Sequence, residues 1–242
     1  MEYNAFKNIF EDIFRKNGLD TYINDDTVAK FAQLTDIMIE TNKVMNITAL
    51  TTVEKIIPLH YADCCKIASY VPQNATVIDI GCGGGFPILP LAIIRPDLKL
   101  VGLDSTDKKV RYMQKTADTL GLHIETISGR AEDIAKKTEY RDFFDISISR
   151  AVARLNILDE LCLPFVKIGG KFIALKGAAG QEEMDEIKSG VSKLGGKIDF
   201  IQEFDLFMTE ESEKRTVIVI DKECPTPIQY PRAFGVIKKK PL

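Results

Sequence analysis

The sequence predicts an α/β protein: a mostly parallel, seven-stranded sheet wrapped by helices and preceded by a helical extension. Three observations predict it. From Thr76 onward, short apolar runs rich in β-branched residues alternate with helical patterns, as strand–helix–strand units do. The first run, Thr76 to Ile80, passes straight into Gly81-Cys82-Gly83-Gly84-Gly85 and then into a helical pattern at Ile88 to Ile94. A strand, a glycine turn and a helix in that order open a nucleotide-binding sheet. Ahead of it, residues 1 to about 72 read as mainly helical.

In the extension, Phe6, Ile9, Phe10, Ile13 and Phe14 fall on one helical face, and Asn17-Gly18 ends that helix. Asp25 or Asp26 can cap the next helix, whose apolar positions are Val28, Phe31, Leu34, Ile37 and Met38. These stripes read as core packing. A polar loop at Asn46 to Thr52 leads to a third helix, Val53 to Tyr70, and Val71-Pro72-Gln73-Asn74 links it to the sheet. Further strands are predicted at Leu98 to Leu103, with Asp104 at the end, and at His123 to Ser128. Phe143 to Ser149 is the fourth, ending in Arg150, and Lys171 to Leu175 the fifth, ending in Lys176-Gly177. Helices fall at Asp107 to Leu120, at Leu155 to Val166 with Gly169-Gly170 as the stop, and at Glu182 to Leu194. Lys197 to Leu206 and Thr216 to Asp221 read as a closing antiparallel pair. Pro225, Pro227, Pro231 and Pro241 predict an irregular tail, which ends in Lys238-Lys239-Lys240. The expected organisation is thus a helical extension over 1–72, a sheet domain over 73–222 and a basic tail over 223–242.

Composition narrows the classes. The 242 residues are 45% hydrophobic, which supports a substantial core. No stretch approaches the roughly 20 apolar residues of a membrane span, and the acidic N-terminus lacks an export pattern. Five cysteines without a C-x-x-C spacing argue against a disulfide framework or a zinc site, so a cytoplasmic, metal-free protein is expected. Cys64-Cys65 read as reduced packing residues. A net charge of −3 excludes a globally basic nucleic-acid binder but leaves room for a local basic patch.

The spacing of the glycines bears on the ligand. A dinucleotide fingerprint, G-x-G-x-x-G, needs glycine at position 86, which is Phe86, and Pro87 has no N–H to offer a pyrophosphate. Gly81, Gly83 and Gly85 instead give G-x-G-x-G, with Asp79 two residues ahead. Asp79 places a negative charge at the mouth of the loop, which disfavours a pyrophosphate and suits a ligand with a positive amino group. This D-x-G-x-G-x-G pattern resembles motif I of the S-adenosylmethionine-dependent methyltransferases. Asp104, about twenty residues on, stands where an acid holds ribose hydroxyls.

Ligands in such sheets bind beyond the carboxyl ends of the strands. The polar residues expected there are Asp79, Asp104, Ala131-Glu132, Arg150 and Lys176. The acids also have an ordinary reading as caps of the helices that follow. Arg150 and Lys176 at adjacent strand ends repel each other unless an anion or a substrate oxygen lies between them. If the chemistry is methyl transfer, two targets lose support. The Asn/Asp-Pro-Pro-aromatic motif of exocyclic-amine methylation is replaced by Ser149-Arg150-Ala151-Val152-Ala153, and no Pro-Cys occurs for C5-pyrimidine methylation. What remains is a nucleophile with an exposed lone pair that needs no deprotonation. Guanine N7 is one, and Arg or Lys reads the O6/N7 edge well.

A wider set of residues carries a family resemblance. Asn46-Ile47-Thr48, His60-Tyr61-Ala62-Asp63, Asp79 to Pro87, Leu103-Asp104-Ser105, Lys108-Lys109, Arg130-Ala131-Glu132, Ser149 to Leu155, Ala174-Leu175-Lys176-Gly177 and Tyr230-Pro231-Arg232 together resemble the RsmG, or GidB, family. The resemblance runs from about residue 40 to the C-terminus. It implies the class I S-adenosylmethionine-dependent methyltransferase (Rossmann-like) fold and methylation of N7 of a guanine in 16S ribosomal RNA. Its implied partner is that RNA or the small ribosomal subunit. By the same resemblance Asp79, Gly81, Gly83, Gly85, Phe86, Asp104, Ala131, Glu132 and Arg150 hold S-adenosylmethionine, with Phe86 on its apolar parts and Ala131-Glu132 at the adenine. Arg150 and Lys176 are the implied catalytic residues at the methyl-transfer cleft, with Lys176 and Arg215 facing RNA. His60 reads as a helix-packing histidine. Two departures from the family are Ala62-Asp63-Cys64, where relatives more often have aromatic-Asp-Ser, and the run of three glycines after Cys82. For the tail lysines and Arg232, phosphate contacts and a solvated end are equal readings. A small-molecule methyltransferase and a non-catalytic RNA-binding or ribosome-assembly module of the same fold stay open as alternatives.

Overall fold

A computed structural model of the chain describes residues 2–178 and 184–242. Seven strands form one sheet in the order β3-β2-β1-β4-β5-β7-β6. They are β1 (Thr76–Ile80), β2 (Lys99–Asp104), β3 (Ile124–Ser128), β4 (Phe144–Arg150), β5 (Val166–Lys176), β6 (Gly196–Phe207) and β7 (Ser212–Lys222). β1 pairs in parallel with β2 and β4, while β7 runs antiparallel to both β5 and β6. The strand order reverses between β1 and β4, so a crevice opens at their carboxyl ends. Successive β1 residues point to opposite faces, and both faces are covered. Val77 joins the core shared with the N-terminal helices, and Ile78 joins the core on the other face.

The extension packs on the first of those faces. Phe6, Phe10, Ile13 and Phe14 of α1 (Tyr3–Lys16) are buried, as the periodicity predicts. α2 (Asp25–Asn42) is capped by Asn24 rather than by Asp25 or Asp26. The Asn24 side chain accepts the Thr27 N–H at 2.9 Å, and the two acids occupy the first turn, where the helix dipole favours them. Aromatic rings run from these helices toward the sheet: Phe10 to Phe31 (5.2 Å between centroids), Phe31 to Tyr61 (4.7 Å) and Tyr61 to Phe86 (6.3 Å). The segment predicted as one helix over 53–70 is helical but not uniform. It passes from α3 (Val53–Ile56) through a π-helical stretch (Ile57–Ala62) and α4 (Asp63–Cys65) to a 3-10 stretch (Lys66–Tyr70). Pro58, which lacks an N–H, stands at the start of the π-helical stretch.

The remaining helices alternate with strands: α5 (Ile88–Ile94), α6 (Asp107–Thr119), α7 (Ala131–Ile134), α8 (Leu155–Cys162) and α9 (Met184–Lys193). Residues 182 and 183, where the α9 helix is predicted to begin, lie outside the described residues. Two sequence expectations are corrected. α8 stops at Cys162, ahead of Pro164, and β5 already begins at Val166. Gly169-Gly170 therefore lies inside a strand. There the register jumps from Phe144 opposite Val166 to Ile146 opposite Lys171. A Cβ on Gly170 would sit 2.4 Å from the Asp145 carbonyl oxygen, so the glycine permits a close backbone approach at the irregularity. The tail is not irregular throughout either. α10 (Phe234–Lys239) fits between Pro231 and Pro241, and its Ile237 is fully buried.

Candidate active site

The loop after β1 is shaped by its glycines. Gly81, Gly83 and Gly85 have φ of 76°, 52° and 91°, in the region that favours residues without a Cβ. The backbone N–H groups of Gly81 and Cys82 donate to the Leu103 carbonyl, and Gly83 N–H donates to Asp104 Oδ2 at 2.9 Å. Neighbouring side chains pack against the glycines. A Cβ on Gly81 would lie 2.5 Å from Val152 Cγ2, and one on Gly85 would lie 2.2 Å from Leu89 Cδ1.

Over this loop opens a cleft of about 510 Å³, in the size range of small-molecule sites. The structure brings Gly81, Gly83, Phe86, Asp104, Ala131, Glu132 and Arg150 together in its walls. Asp104 does more than cap. Its Oδ1 accepts the Thr106 N–H at 2.8 Å while Oδ2 holds the glycine loop, and each oxygen keeps a lone pair for a ligand hydroxyl. Gly85 supports the loop from behind, against Leu89.

Asp79 and Lys176 stand elsewhere than expected. Asp79 is fully buried beneath the loop rather than at its mouth, and among the described residues neither carboxyl oxygen has a well-formed hydrogen bond. Burial outweighs the pull of the Ile88 backbone and of Arg150 and pushes this carboxyl up to about 8. Lys176 does not line the cleft, and its ammonium donates to the Ala153 carbonyl at 2.7 Å.

Arg150 is at the cleft, but its charge is not free. Nη1 donates to the Leu59 carbonyl (2.9 Å) and to Asp63 Oδ2 (3.1 Å), and Nη2 donates to His60 Nδ1 (2.9 Å). The anion that lets a cation sit at this strand end is thus the protein's own Asp63. Arg215, expected to face RNA, also turns inward: its Nε lies 3.5 Å from Asp63 Oδ1 and its Nη2 2.8 Å from Glu213.

His60 is not a simple packing residue. Its ring stacks on Phe86 at 4.4 Å and 15°, and both line the cleft. Because Nδ1 accepts from Arg150, the proton of the neutral ring sits on Nε2, which donates to Thr48 Oγ1 at 2.7 Å. Burial and the adjacent guanidinium depress its pKa to about 3. Thr48 in turn accepts the Leu50 N–H, and Asn42 Oδ1 accepts the N–H groups of Ile47 and Thr48, so the 46–52 loop is fastened to the cleft.

The lining residues that sequence reasoning missed include Ile47, Lys109, Val152, Leu161 and Phe234. Of these, Ile47, Lys109 and Val152 sit within the motifs quoted above, whereas Phe234 is marked only as an aromatic in a proline-rich tail. Among the described residues, no group of three or more His, Cys, Asp or Glu side chains is arranged to hold a metal ion. The five cysteines are unpaired, and among the described residues no helix is long and apolar enough to cross a membrane.

The sheet order and the crevice over the glycine loop define a class I, Rossmann-like methyltransferase fold. Solved structures with that fold include a SAM-dependent methyltransferase from Methanosarcina mazei (TM-score 0.52, 16% identity, 65% of this chain and 97% of that one). Another is M. jannaschii TYW2 in complex with AdoMet (TM-score 0.52, 14% identity, 66% and 74%). The family model GidB, rRNA small subunit methyltransferase G, matches residues 27–211. Relatives named ribosomal RNA small subunit methyltransferase G are 43% identical over 97% of this chain and 98% of the Clostridium novyi protein, and 39% identical over 98% and 99% in Brevibacillus brevis. The chain belongs to the rRNA small subunit methyltransferase G (GidB) family.

Proposed function

We propose that this chain transfers a methyl group from S-adenosylmethionine to N7 of a guanine in 16S ribosomal RNA, presented in the cytoplasm as RNA or as the small ribosomal subunit. The residues of the cleft fit that cofactor. Asp104 offers carboxylate lone pairs to ribose hydroxyls, glycines let the backbone come close, and Glu132 is mostly buried in the wall with no hydrogen-bond or ion-pair partner among the described residues. When bound, S-adenosylmethionine supplies an electrophilic methyl on a positive sulphur, and in-line attack breaks the S–C bond as the N–C bond forms.

The observation that carries the choice of nucleophile is the state of His60. It is the one imidazole in the cleft wall, both of its nitrogens are engaged, and its pKa of about 3 keeps it neutral. Such a group orients rather than deprotonates. Guanine N7 carries no proton to remove, so positioning provides much of the rate. Asp63 fixes the Arg150 guanidinium, whose buried Nε has no hydrogen-bond partner among the described residues, and Arg150 with Phe86 and His60 forms the wall against which a base can be placed.

The test is transfer of labelled methyl from S-adenosylmethionine to small subunits from cells lacking this protein, followed by borohydride and aniline cleavage to map N7-methylguanine. Label at a single guanine N7 is expected. Absence of label on subunits and on the RNA extracted from them would overturn the reading in favour of a small-molecule methyltransferase or a non-catalytic RNA-binding relative.

A further inference from the structure

The C-terminal segment, expected as a loose basic end, is fastened across the sheet domain by three sets of contacts. Arg232 donates from its backbone N, Nε and Nη2 to Glu160, whose carboxylate is fully buried. Arg141 donates to the carbonyl oxygens of Thr226, Pro227 and Tyr230. Lys222, 1% exposed, bonds the Leu163 carbonyl and the Thr226 hydroxyl, with Asp142 at 3.3 Å. A buried ion pair is tolerated where hydrogen bonds satisfy it, and here they hold a chain end that would otherwise fray.

These anchors deliver one aromatic side chain to the cleft. Phe234, at the start of α10, lines it together with Ala131, Glu132 and Leu161. Its ring is half-buried against the second core, and the Arg130 guanidinium carbon lies 5.9 Å from the ring centroid. An aromatic ring, a cation near it and an unengaged carboxylate in the walls of one cleft match a purine, which has a π-face to stack and an exocyclic amine to donate.

We propose that the C-terminal strap completes the cofactor site, with Phe234 as the surface on which the adenine ring of S-adenosylmethionine stacks. The proposal rests on the cofactor reading above. Stacking of a base on an aromatic side chain is worth roughly tenfold in affinity or somewhat more.

The experiment is calorimetric titration of the full chain with adenosine and with S-adenosylhomocysteine, for the wild type and for Phe234→Ala, Phe234→Leu and Phe234→Tyr. Leu keeps the apolar packing and removes the π-face, so it decides the matter should the Ala variant fail to fold. The expected result is a loss of about tenfold for both ligands in the Ala and Leu variants, by the same factor, with affinity restored by Tyr. In turnover, KM for S-adenosylmethionine rises and kcat is largely kept. Unchanged affinity for both ligands in Phe234→Leu overturns the inference. So does a defect confined to KM for the subunit, which would assign Phe234 to the RNA. A wild type that binds no S-adenosylhomocysteine overturns the cofactor reading and this inference with it, whereas a wild type that binds it and a Phe234→Leu variant that binds it equally well overturn the inference alone.

Discussion

His60 and Asp79 show how far burial alone can move a side chain from its ordinary behaviour. His60 is held neutral by burial and by Arg150, with a pKa of about 3 against 6.5 in water. Its folded value is depressed, so it stabilises the fold fully above about 6.5 and loses that contribution as pH falls toward 3. The chain has only two histidines, so their ring resonances are separable by NMR. Between pH 5 and 8 the His60 resonance is expected to stay still. A His60 midpoint near 6.5 would mean that the Arg150 contact does not persist in solution. Asp79 moves the other way. Its folded pKa of about 8 lies above the unfolded value of about 3.9, so its contribution is fully present below pH 4 and is lost as pH rises through 8. Asp79→Asn removes the proton exchange. Urea melts at pH 5, 6.5 and 8 are expected to show the variant gaining on the wild type by up to about 1.4 kcal/mol per pH unit. A constant difference across that range would show that the folded carboxyl is already ionised. Neither behaviour was legible in the sequence. D-x-G-x-G-x-G places Asp79 correctly on the strand but says nothing about which face its side chain takes. Arg150 reads as a free cation only until the fold brings Asp63, 87 positions away in sequence, to within 3.1 Å of it.

At the level of elements, glycine spacing was the most legible feature, because a positive φ and a missing Cβ leave few alternative residues. The structure gives the glycines distinct tasks. Gly83 brings its N–H to Asp104, whereas Gly85 makes room for Leu89, so it serves the packing of α5 on the loop rather than the ligand. Gly85→Ala meets both a φ of 91° and a contact of 2.2 Å, and is expected to cost about 1–3 kcal/mol. In the double variant with Leu89→Ala the steric part is relieved and the backbone strain remains. A double-mutant cycle read by thermal melts should therefore give less than additive loss. Strict additivity would mean that Leu89 simply moves aside. The parts of the fold that were not legible have a common cause. The Gly169-Gly170 pair reads as a helix stop by local rules, and only the pairing of β4 with β5 turns it into a strand irregularity. The prolines of the tail forbid long regular structure, yet a six-residue helix fits between two of them once Arg141 and Glu160 hold its approach.

For the molecule as a whole, the question is whether the first 72 residues are an accessory unit or part of the catalytic body. The packing argues for the second. Phe10, Phe14, Phe31 and Tyr61 share one core with Val77, Ile146, Ile148 and Leu175 of the sheet. Hydrogen bonds also cross the boundary: Asn17 Nδ2 donates to the Phe207 carbonyl, Asn17 Oδ1 accepts the Phe207 N–H, and the Tyr70 hydroxyl donates to Gln202. His60 and Asp63, which hold Arg150, both belong to the extension. Removing residues 1–72 would bare one apolar face of the sheet and leave Arg150 without its counter-charge, and exposed apolar area of that kind promotes association rather than folding. The fragment 73–242 is therefore expected to give no cooperative melt, to bind a hydrophobic dye, and to bind no S-adenosylhomocysteine. The full chain should melt in one transition monitored equally by far-ultraviolet circular dichroism and by tyrosine fluorescence. The two outcomes differ in what they say about the active site. A fragment that melted cooperatively and bound the cofactor would make the extension a separable module, and the His60–Arg150–Asp63 network would then serve the RNA rather than the integrity of the cleft.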